Sequence, residues 1–94
     1  MSTFIVFGKY SIEGIKDISP NRTKKAAAII EANGGQLKAV YALLGKFDLL
    51  AITEFPGVKE AMKASIELTK NLNIAFTTIP AITVEEFDKM VEGV

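Results

Sequence analysis

Strand-like and helix-like segments follow one another along the chain, and the pattern of apolar positions separates them. Residues 3–10 are rich in β-branched and aromatic side chains, which are typical of a strand. Residues 36–44 and 48–55 are two apolar runs joined by a short loop that contains glycine, so they predict an antiparallel hairpin. A fourth strand-like run covers residues 73–79 and ends at Pro80.

A first helix is predicted between the first and second strands. Ser19 followed by Pro20 is typical of an N-cap and a first helical residue, because the proline ring already fixes a helical φ. The helix is expected to end at Asn33, since the two glycines that follow favour the left-handed conformation of a helix C-terminus. Its inner face is expected to carry small residues that allow a close approach to the sheet, namely Ala26, Ala27 and Ile30.

Two more helices follow the hairpin and the fourth strand. Over residues 58–72, apolar side chains recur at helical spacing, and the expected inner stripe consists of Val58, Ala61, Met62, Ser65, Thr69 and Leu72. Thr83 and Glu86 form a capping box ahead of a last short helix, which has one apolar stripe.

The order of these elements predicts the fold. Strand, helix, strand, strand, helix, strand is the βαββαβ unit of the ferredoxin-like α+β fold, in which two helices cover one face of a four-stranded antiparallel sheet. The short C-terminal helix is an addition to that unit. Residues 1–94 are expected to form a single domain, since a typical domain holds roughly 100 to 200 residues.

Both faces of the predicted sheet are apolar. The first strand places Phe4 and Val6 on one face and Ile5 and Phe7 on the other, and the second and third strands are also apolar on both sides. Two helices cover only one of these faces. Because a large exposed apolar face generally marks an interaction surface, we expect a second copy of the chain to cover the other face, sheet against sheet.

Composition limits the chemistry that the chain can perform. Eleven Lys and Arg residues balance eleven Asp and Glu residues, so the formal net charge is zero and a nucleic-acid partner is not expected. The absence of Cys and His removes thiolate nucleophiles, imidazole bases, disulfides and nearly all zinc, copper and haem ligation. We therefore expect no metal and no cofactor, and any chemistry must use carboxylates, Lys, Arg, Tyr or hydroxyl groups.

No segment has the pattern of a targeting signal or a membrane anchor. The apolar run at residues 4–7 follows no Lys or Arg and ends at Gly8, which makes it too short for a secretory signal. The longest later apolar run, residues 39–44, falls far below the ~20 residues that span a bilayer. We expect a cytoplasmic protein without a membrane partner.

Three segments of the sequence resemble a known family. They read TFIVFGKYSIEGIKDISPNR at the start, ANGGQLKAVYALLGKFDLLAITEFPG in the middle and ITVEEF near the end, and together they resemble a GYD-domain protein over nearly the whole length. The segment Gly45-Lys46-Phe47-Asp48 corresponds to the Gly-x-Tyr-Asp motif of that family, with Phe47 in place of its Tyr. The resemblance implies a dimeric α/β barrel, in which two ferredoxin-like sheets face each other.

The wider group that the sequence resembles includes muconolactone isomerases, cofactor-independent monooxygenases and the effector-binding domains of leucine-responsive regulators. The resemblance therefore implies a fold and not a reaction. An RNA-recognition motif would need stacking aromatic residues in a basic surround, which residues 48–52 do not provide, and a copper chaperone would need two Cys. An amino-acid-binding domain of the ACT type shares the element order, and the Gly-Lys-Phe-Asp turn favours the GYD family over it.

The Gly-Lys-Phe-Asp turn offers the first candidate site. Gly45 is suited to a positive φ, Phe47 to folding back as an apolar plug, and the Asp48 carboxylate to accepting backbone N–H groups left free in the loop. The alternative is that Asp48 contacts a ligand at the mouth of a pocket, since loops on rigid strands commonly carry binding residues.

Three further side chains are candidates for ligand binding. Tyr10 and Tyr41 lie in predicted strands, where each is placed either to pack or to bring a hydroxyl into an apolar cavity. Arg22 lies in the first turn of a predicted helix, where a cation works against the helix dipole and in some proteins binds an anionic ligand.

Two functions follow from these features. The first is a small oligomeric module, a homodimer or a multiple of dimers, that binds a small apolar or aromatic metabolite between its sheet and elements of the partner. The alternative is a cofactor-independent enzyme, of isomerase or monooxygenase type, that uses Tyr and Asp as acid-base groups. A cavity lined by Tyr and Asp together would favour the enzyme, and the absence of His favours the module.

Overall fold

The computed structural model describes residues 1–94, and it has the predicted ferredoxin-like order of elements with one helix added. The elements are β1 (Ser2–Tyr10), α1 (Ile12–Lys16), α2 (Asn21–Ala32), β2 (Gln36–Ala42), β3 (Leu49–Phe55), α3 (Val58–Leu72), β4 (Ile74–Ala81) and α4 (Val84–Glu92). Neighbouring strands pair antiparallel in the order β2-β3-β1-β4, which confirms the predicted α+β fold. None of the helices combines the length and the apolar composition needed to cross a bilayer.

Helix α1 lies between the first strand and the first predicted helix, at residues for which the sequence pattern predicted no helix. Its N-cap Ser11 accepts a hydrogen bond from Gly14 N at 3.0 Å and donates one to the Asn73 carbonyl at 2.9 Å. Gly14 is buried against the same carbonyl, and a Cβ at this position would lie 2.7 Å from it. The helix therefore depends on a contact between residues 62 positions apart, which no local pattern reveals.

Three element ends differ from the prediction. Pro20, and not Ser19, is the N-cap of α2, and it provides no side-chain hydrogen bond. Strand β2 ends at Ala42, two residues before the predicted end, and a loop of residues 43–48 joins it to β3. Strand β4 continues through Pro80, which is tolerated because β4 lies at the edge of the sheet.

The hydrophobic core lies between the sheet and helices α2 and α3. On the sheet side, the rings of Phe4 and Phe55 pack edge to face with their centroids 5.9 Å apart. The other members of the core cluster are Ile30, Ala61, Ala64, Leu68, Leu72 and Ile74.

Helix α3 buries a different stripe from the one predicted. Val58 and Met62 are each 60% exposed and Thr69 is also exposed, whereas the buried residues are Ala61, Ala64, Leu68 and Leu72. The buried stripe begins with two alanines and continues with two leucines, so α3 brings short side chains to the core in its first half and larger ones in its second half.

The face of the sheet opposite these helices, which we call the open face, is also apolar. Ile5 pairs in register with Ile52 on one side and with Ile79 on the other, and Phe7 pairs with Leu50 next to them. All five side chains are partly or largely accessible to solvent, whereas Phe4 and Val6 on the helix side are buried. Both faces of the sheet are thus apolar, as the strand pattern predicted.

The C-terminal helix α4 buries none of its residues. Its N-cap forms as predicted, since Thr83 Oγ1 accepts a hydrogen bond from Glu86 N at 3.1 Å. Its apolar side chains remain about half exposed, at 49% for Phe87, 55% for Met90 and 48% for Val91. The helix therefore adds a second apolar surface to that of the open face.

The total exposed area of the chain is large for its mass. The protomer exposes 6491 Å², whereas a compact monomer of 10.2 kDa exposes about 5,300 Å². The radius of gyration is 14.3 Å, against about 12.4 Å for a compact chain of this length. The protomer therefore exposes about 1,200 Å² more accessible surface than a compact monomer of the same mass.

Gly35 is expected to tolerate no side chain. An added Cβ would lie 2.6 Å from the Phe55 ring and 2.7 Å from the Glu54 carbonyl, at the point where the chain leaves α2 for β2. Gly35→Ala should therefore lower the free energy of unfolding by roughly 1 to 3 kcal/mol or more, measured by denaturant titration. Gly93→Ala is the control, because the nearest atom to its Cβ lies at an ordinary 3.6 Å; equal effects of the two substitutions would contradict the packing argument.

Candidate functional site

A cavity of about 380 Å³ lies between the helix side of the sheet and helices α2 and α3. Fifteen of its 21 lining residues are hydrophobic, and they come from all four strands and both helices. A volume of this size lies within the range of roughly 300 to 1,000 Å³ that is typical of small-molecule sites.

Short side chains leave this space unfilled. Ala26 on α2, Ala51 on β3 and Ala64 on α3 all line the cavity. Where a sheet packs against helices, larger residues ordinarily interdigitate until the interior is close-packed. Alanine on three facing elements leaves a gap that the neighbouring side chains do not close.

The polar residues of the lining are concentrated where α2 begins. Ser19, Pro20, Arg22 and Thr23 form this end of the wall together with Tyr10 from the last position of β1. Arg22 is the only charged residue of the lining, and no acidic residue belongs to it. The cavity therefore has an apolar body and one cationic end.

Two contacts hold the Arg22 side chain in place. Its Nη2 donates a hydrogen bond to the Gly14 carbonyl of α1 at 3.1 Å. Its Cζ lies 4.5 Å from the centre of the Tyr10 ring, which is a cation–π distance. Nη1 is buried and has no hydrogen-bond partner in the chain.

Asp48 ties the hairpin loop to the end of β1. Its backbone N–H donates to the Gly8 carbonyl at 2.8 Å, and its Oδ2 accepts from Tyr10 N at 2.9 Å. The pairing of β1 with β3 ends at Gly8 and Leu49, so the carboxylate adds one more bond to β1 beyond the ladder. The carboxylate was expected to accept hydrogen bonds from N–H groups of its own loop, whereas the N–H group that donates to it belongs to Tyr10 of β1.

Phe47 is the residue of the Gly-Lys-Phe-Asp loop that packs on the open face. Gly45 has a φ of 131°, a conformation that glycine adopts without strain. The Phe47 ring lies on the Phe7 ring with centroids 4.9 Å apart. Tyr41 is on the same face, opposite Leu50, and is 57% exposed.

The structure brings together two of the four ligand-binding candidates. Tyr10 and Arg22 share the polar end of the cavity, whereas Tyr41 lies on the open face and Asp48 reaches the cavity only through the backbone of Tyr10. The cavity therefore contains no paired Tyr and Asp side chains. No group of three acidic residues is placed to hold a metal ion.

Sequence reasoning did not single out Ser19 and Thr23 as residues of the site. A signal was available, because residues 21–24 open helix α2 with Arg and Lys and without any acidic residue. A helix usually begins with acidic residues, which its dipole favours. A first turn that carries Arg22 and Lys24 therefore departs from the usual charge pattern of a helix start.

Comparisons with known proteins identify the family and the fold. The family model of the GYD domain matches residues 4–91. No curated protein matches the sequence. Among solved structures, the leucine response regulatory protein of Mycobacterium tuberculosis is similar to this chain, with a TM-score of 0.58 and 10% sequence identity over 87% of this chain. The chain spans about half of that structure, 51% of its length, and the similarity is one of fold.

The hydrogen bond from Tyr10 N to Asp48 leads to a prediction about stability. Asp48→Ala should lower the free energy of unfolding by about 0.5 to 2 kcal/mol, because the part-buried N–H loses its acceptor. Asp48→Asn should have a small effect, since the amide oxygen accepts the same bond. The free energies of unfolding of the two variants are measured from denaturant unfolding curves. An Asn variant as unstable as the Ala variant would show that the hydrogen bond from Tyr10 N does not account for the role of Asp48.

Proposed function

The chain belongs to the GYD-domain family, and from this premise we propose that it is a homodimeric binding module whose cavity holds a small apolar or aromatic metabolite. The observation that carries the proposal is the cavity of about 380 Å³ within an otherwise ordinary helix-on-sheet core. An unfilled cavity forfeits van der Waals contacts and lowers stability in proportion to its volume. A ligand would restore those contacts.

The residues that line the cavity favour binding over catalysis. General acid-base catalysis needs a donor and an acceptor within hydrogen-bond reach of the reacting atoms. Tyr10 is the one phenol in the lining, and no carboxylate belongs to the lining; Asp48 contacts only the backbone N–H of Tyr10. The cofactor-independent enzyme that the sequence left as an alternative is therefore the less supported function.

Two apolar surfaces support the homodimer. The open face and helix α4 both expose large apolar side chains, and together they contribute to an excess of about 1,200 Å² of accessible surface. A standard interface needs roughly 800 Å² per partner. Pairing two open faces, sheet against sheet, would remove this surface from water and form the dimeric α/β barrel that the resemblance implied.

The dimer is tested by placing a charge at the centre of the open face. Light scattering of the unaltered chain should give the mass of a dimer or a multiple of dimers at micromolar concentration. Ile52→Lys should shift this mass to that of the monomer, because Ile52 pairs with Ile5 in the middle of the face and a buried lysine there would lack a partner.

Ala28→Lys is the matched control for Ile52→Lys. Ala28 is exposed on α2, on the other side of the sheet from the open face, so the added charge should leave the mass unchanged. A monomeric unaltered chain, or an Ile52→Lys variant that remains dimeric, would contradict the pairing through the open face.

The cavity is tested by filling it. N-phenyl-1-naphthylamine is an uncharged fluorescent probe, and its emission should rise when it enters the apolar cavity. Ala26→Leu places a larger side chain in the wall, so probe affinity should fall by about tenfold. Ala28→Leu adds the same atoms to an exposed position of the same helix and should leave affinity unchanged. Equal affinities for the two variants would place the probe elsewhere.

A further inference from the structure

Arg22 provides a charged donor that the chain itself leaves unused. Its Nη2 donates a hydrogen bond to the Gly14 carbonyl and its Cζ lies 4.5 Å from the centre of the Tyr10 ring, but Nη1 is buried without a partner. Arginine is not part of any ion pair in this structure, where the one salt bridge joins Lys89 to Glu85 on α4. A buried charged donor without an acceptor is destabilising, so buried polar groups in native proteins are nearly always paired.

The first turn of α2 adds positive potential at the same end of the cavity. The N-cap Pro20 has no side-chain oxygen that could accept a hydrogen bond from the first N–H groups, and the turn contains no acidic residue. The N-terminal N–H groups of a helix carry a partial positive charge that attracts anions. Ser19, Arg22 and Thr23 therefore lie at an end of the cavity that favours a negative charge, and no residue of the lining supplies one.

The remaining lining determines what kind of anion fits. One guanidinium and three hydroxyl-bearing residues at this end of the lining, Tyr10, Ser19 and Thr23, are few donors for a doubly charged phosphate, whose removal from water would be costly in so apolar a cavity. A carboxylate carries one charge and matches the geometry of a guanidinium. The rest of the ligand must be apolar to cover the hydrophobic walls.

We infer that the ligand of this cavity is an apolar monocarboxylate, whose carboxylate pairs with the Arg22 guanidinium at the first turn of α2 and whose aliphatic or aromatic body fills the space between sheet and helices. The inference rests on the proposed binding function and adds the chemical class of the ligand. Tyr10 acts as a positioning residue, because its ring lies against the guanidinium, with Arg22 Cζ 4.5 Å from the ring centre.

The test compares carboxylates with their uncharged isosteres. Octanoate and 3-phenylpropanoate are titrated into the unaltered protein beside octanamide and 3-phenylpropanamide, and dissociation constants are measured by calorimetry and by NMR shifts at low ionic strength. Each carboxylate should bind about tenfold or more tightly than its amide, since a hydrogen-bonded ion pair in an apolar site exceeds a neutral contact by that amount. The cationic 3-phenylpropylamine should bind most weakly.

Substitution of Arg22 assigns the preference to its side chain. Arg22→Met keeps the length of the side chain and removes its charge, so the carboxylates should lose their advantage while the amides bind as before. Lys24→Met, on an exposed position of the same helix turn, is the matched control and should preserve the preference. If Arg22→Met fails to fold, the order of carboxylate, amide and amine in the unaltered protein still decides the question.

The outcomes separate this inference from the function on which it rests. Equal binding of carboxylates and amides, with both weakened by Ala26→Leu, would leave the cavity as a binding site and overturn the carboxylate assignment. Failure of all four compounds to bind would overturn both. A carboxylate preference that survives in Arg22→Met would place the anion at another cation and overturn the role of Arg22.

Discussion

Both faces of the sheet are apolar and gain stability when they are buried, but the helices of this chain pack on only one of them. Helices α2 and α3 bury Phe4 and Phe55 on one side, while Ile5, Phe7 and Ile52 on the other side remain accessible to water. Hydrophobic burial is the main favourable contribution to folding, so a chain that leaves half of its sheet uncovered has part of its stability still to gain. Association with a second copy and occupation of the cavity are two ways to gain it.

The GYD-type motif and the cavity are joined through one strand end. Asp48 in the hairpin loop holds the backbone of Tyr10, the Tyr10 ring lies against the Arg22 guanidinium, and Arg22 in turn holds the carbonyl of Gly14 in α1. A loop on one side of the molecule thus sets the position of a cation on the other. The motif residue reaches the cavity through the backbone of a neighbouring strand and not by contact of its own side chain.

The sequence pattern predicts the fold well because strand order, helix periodicity and turn residues are local properties. Features that depend on distant contacts were missed: α1 requires the bond from Ser11 to the Asn73 carbonyl, and the rotation of α3 depends on how closely Ala61 and Ala64 approach the sheet. The unpaired nitrogen of Arg22 is of the same kind. A sequence identifies an arginine in an unfavourable helix position, but only packing determines whether that arginine has a partner.

Both edges of the sheet carry irregularities. Pro80 lies in edge strand β4 and has no N–H to offer, and the other edge strand, β2, is interrupted between Leu37 and Ala39 by a bulge at Lys38. A proline, a bulge and a lysine are features that hinder a sheet from extending by adding strands of other chains. The protomer therefore exposes an apolar sheet surface, while its two edges hinder the addition of strands that would extend the sheet into an open-ended ribbon.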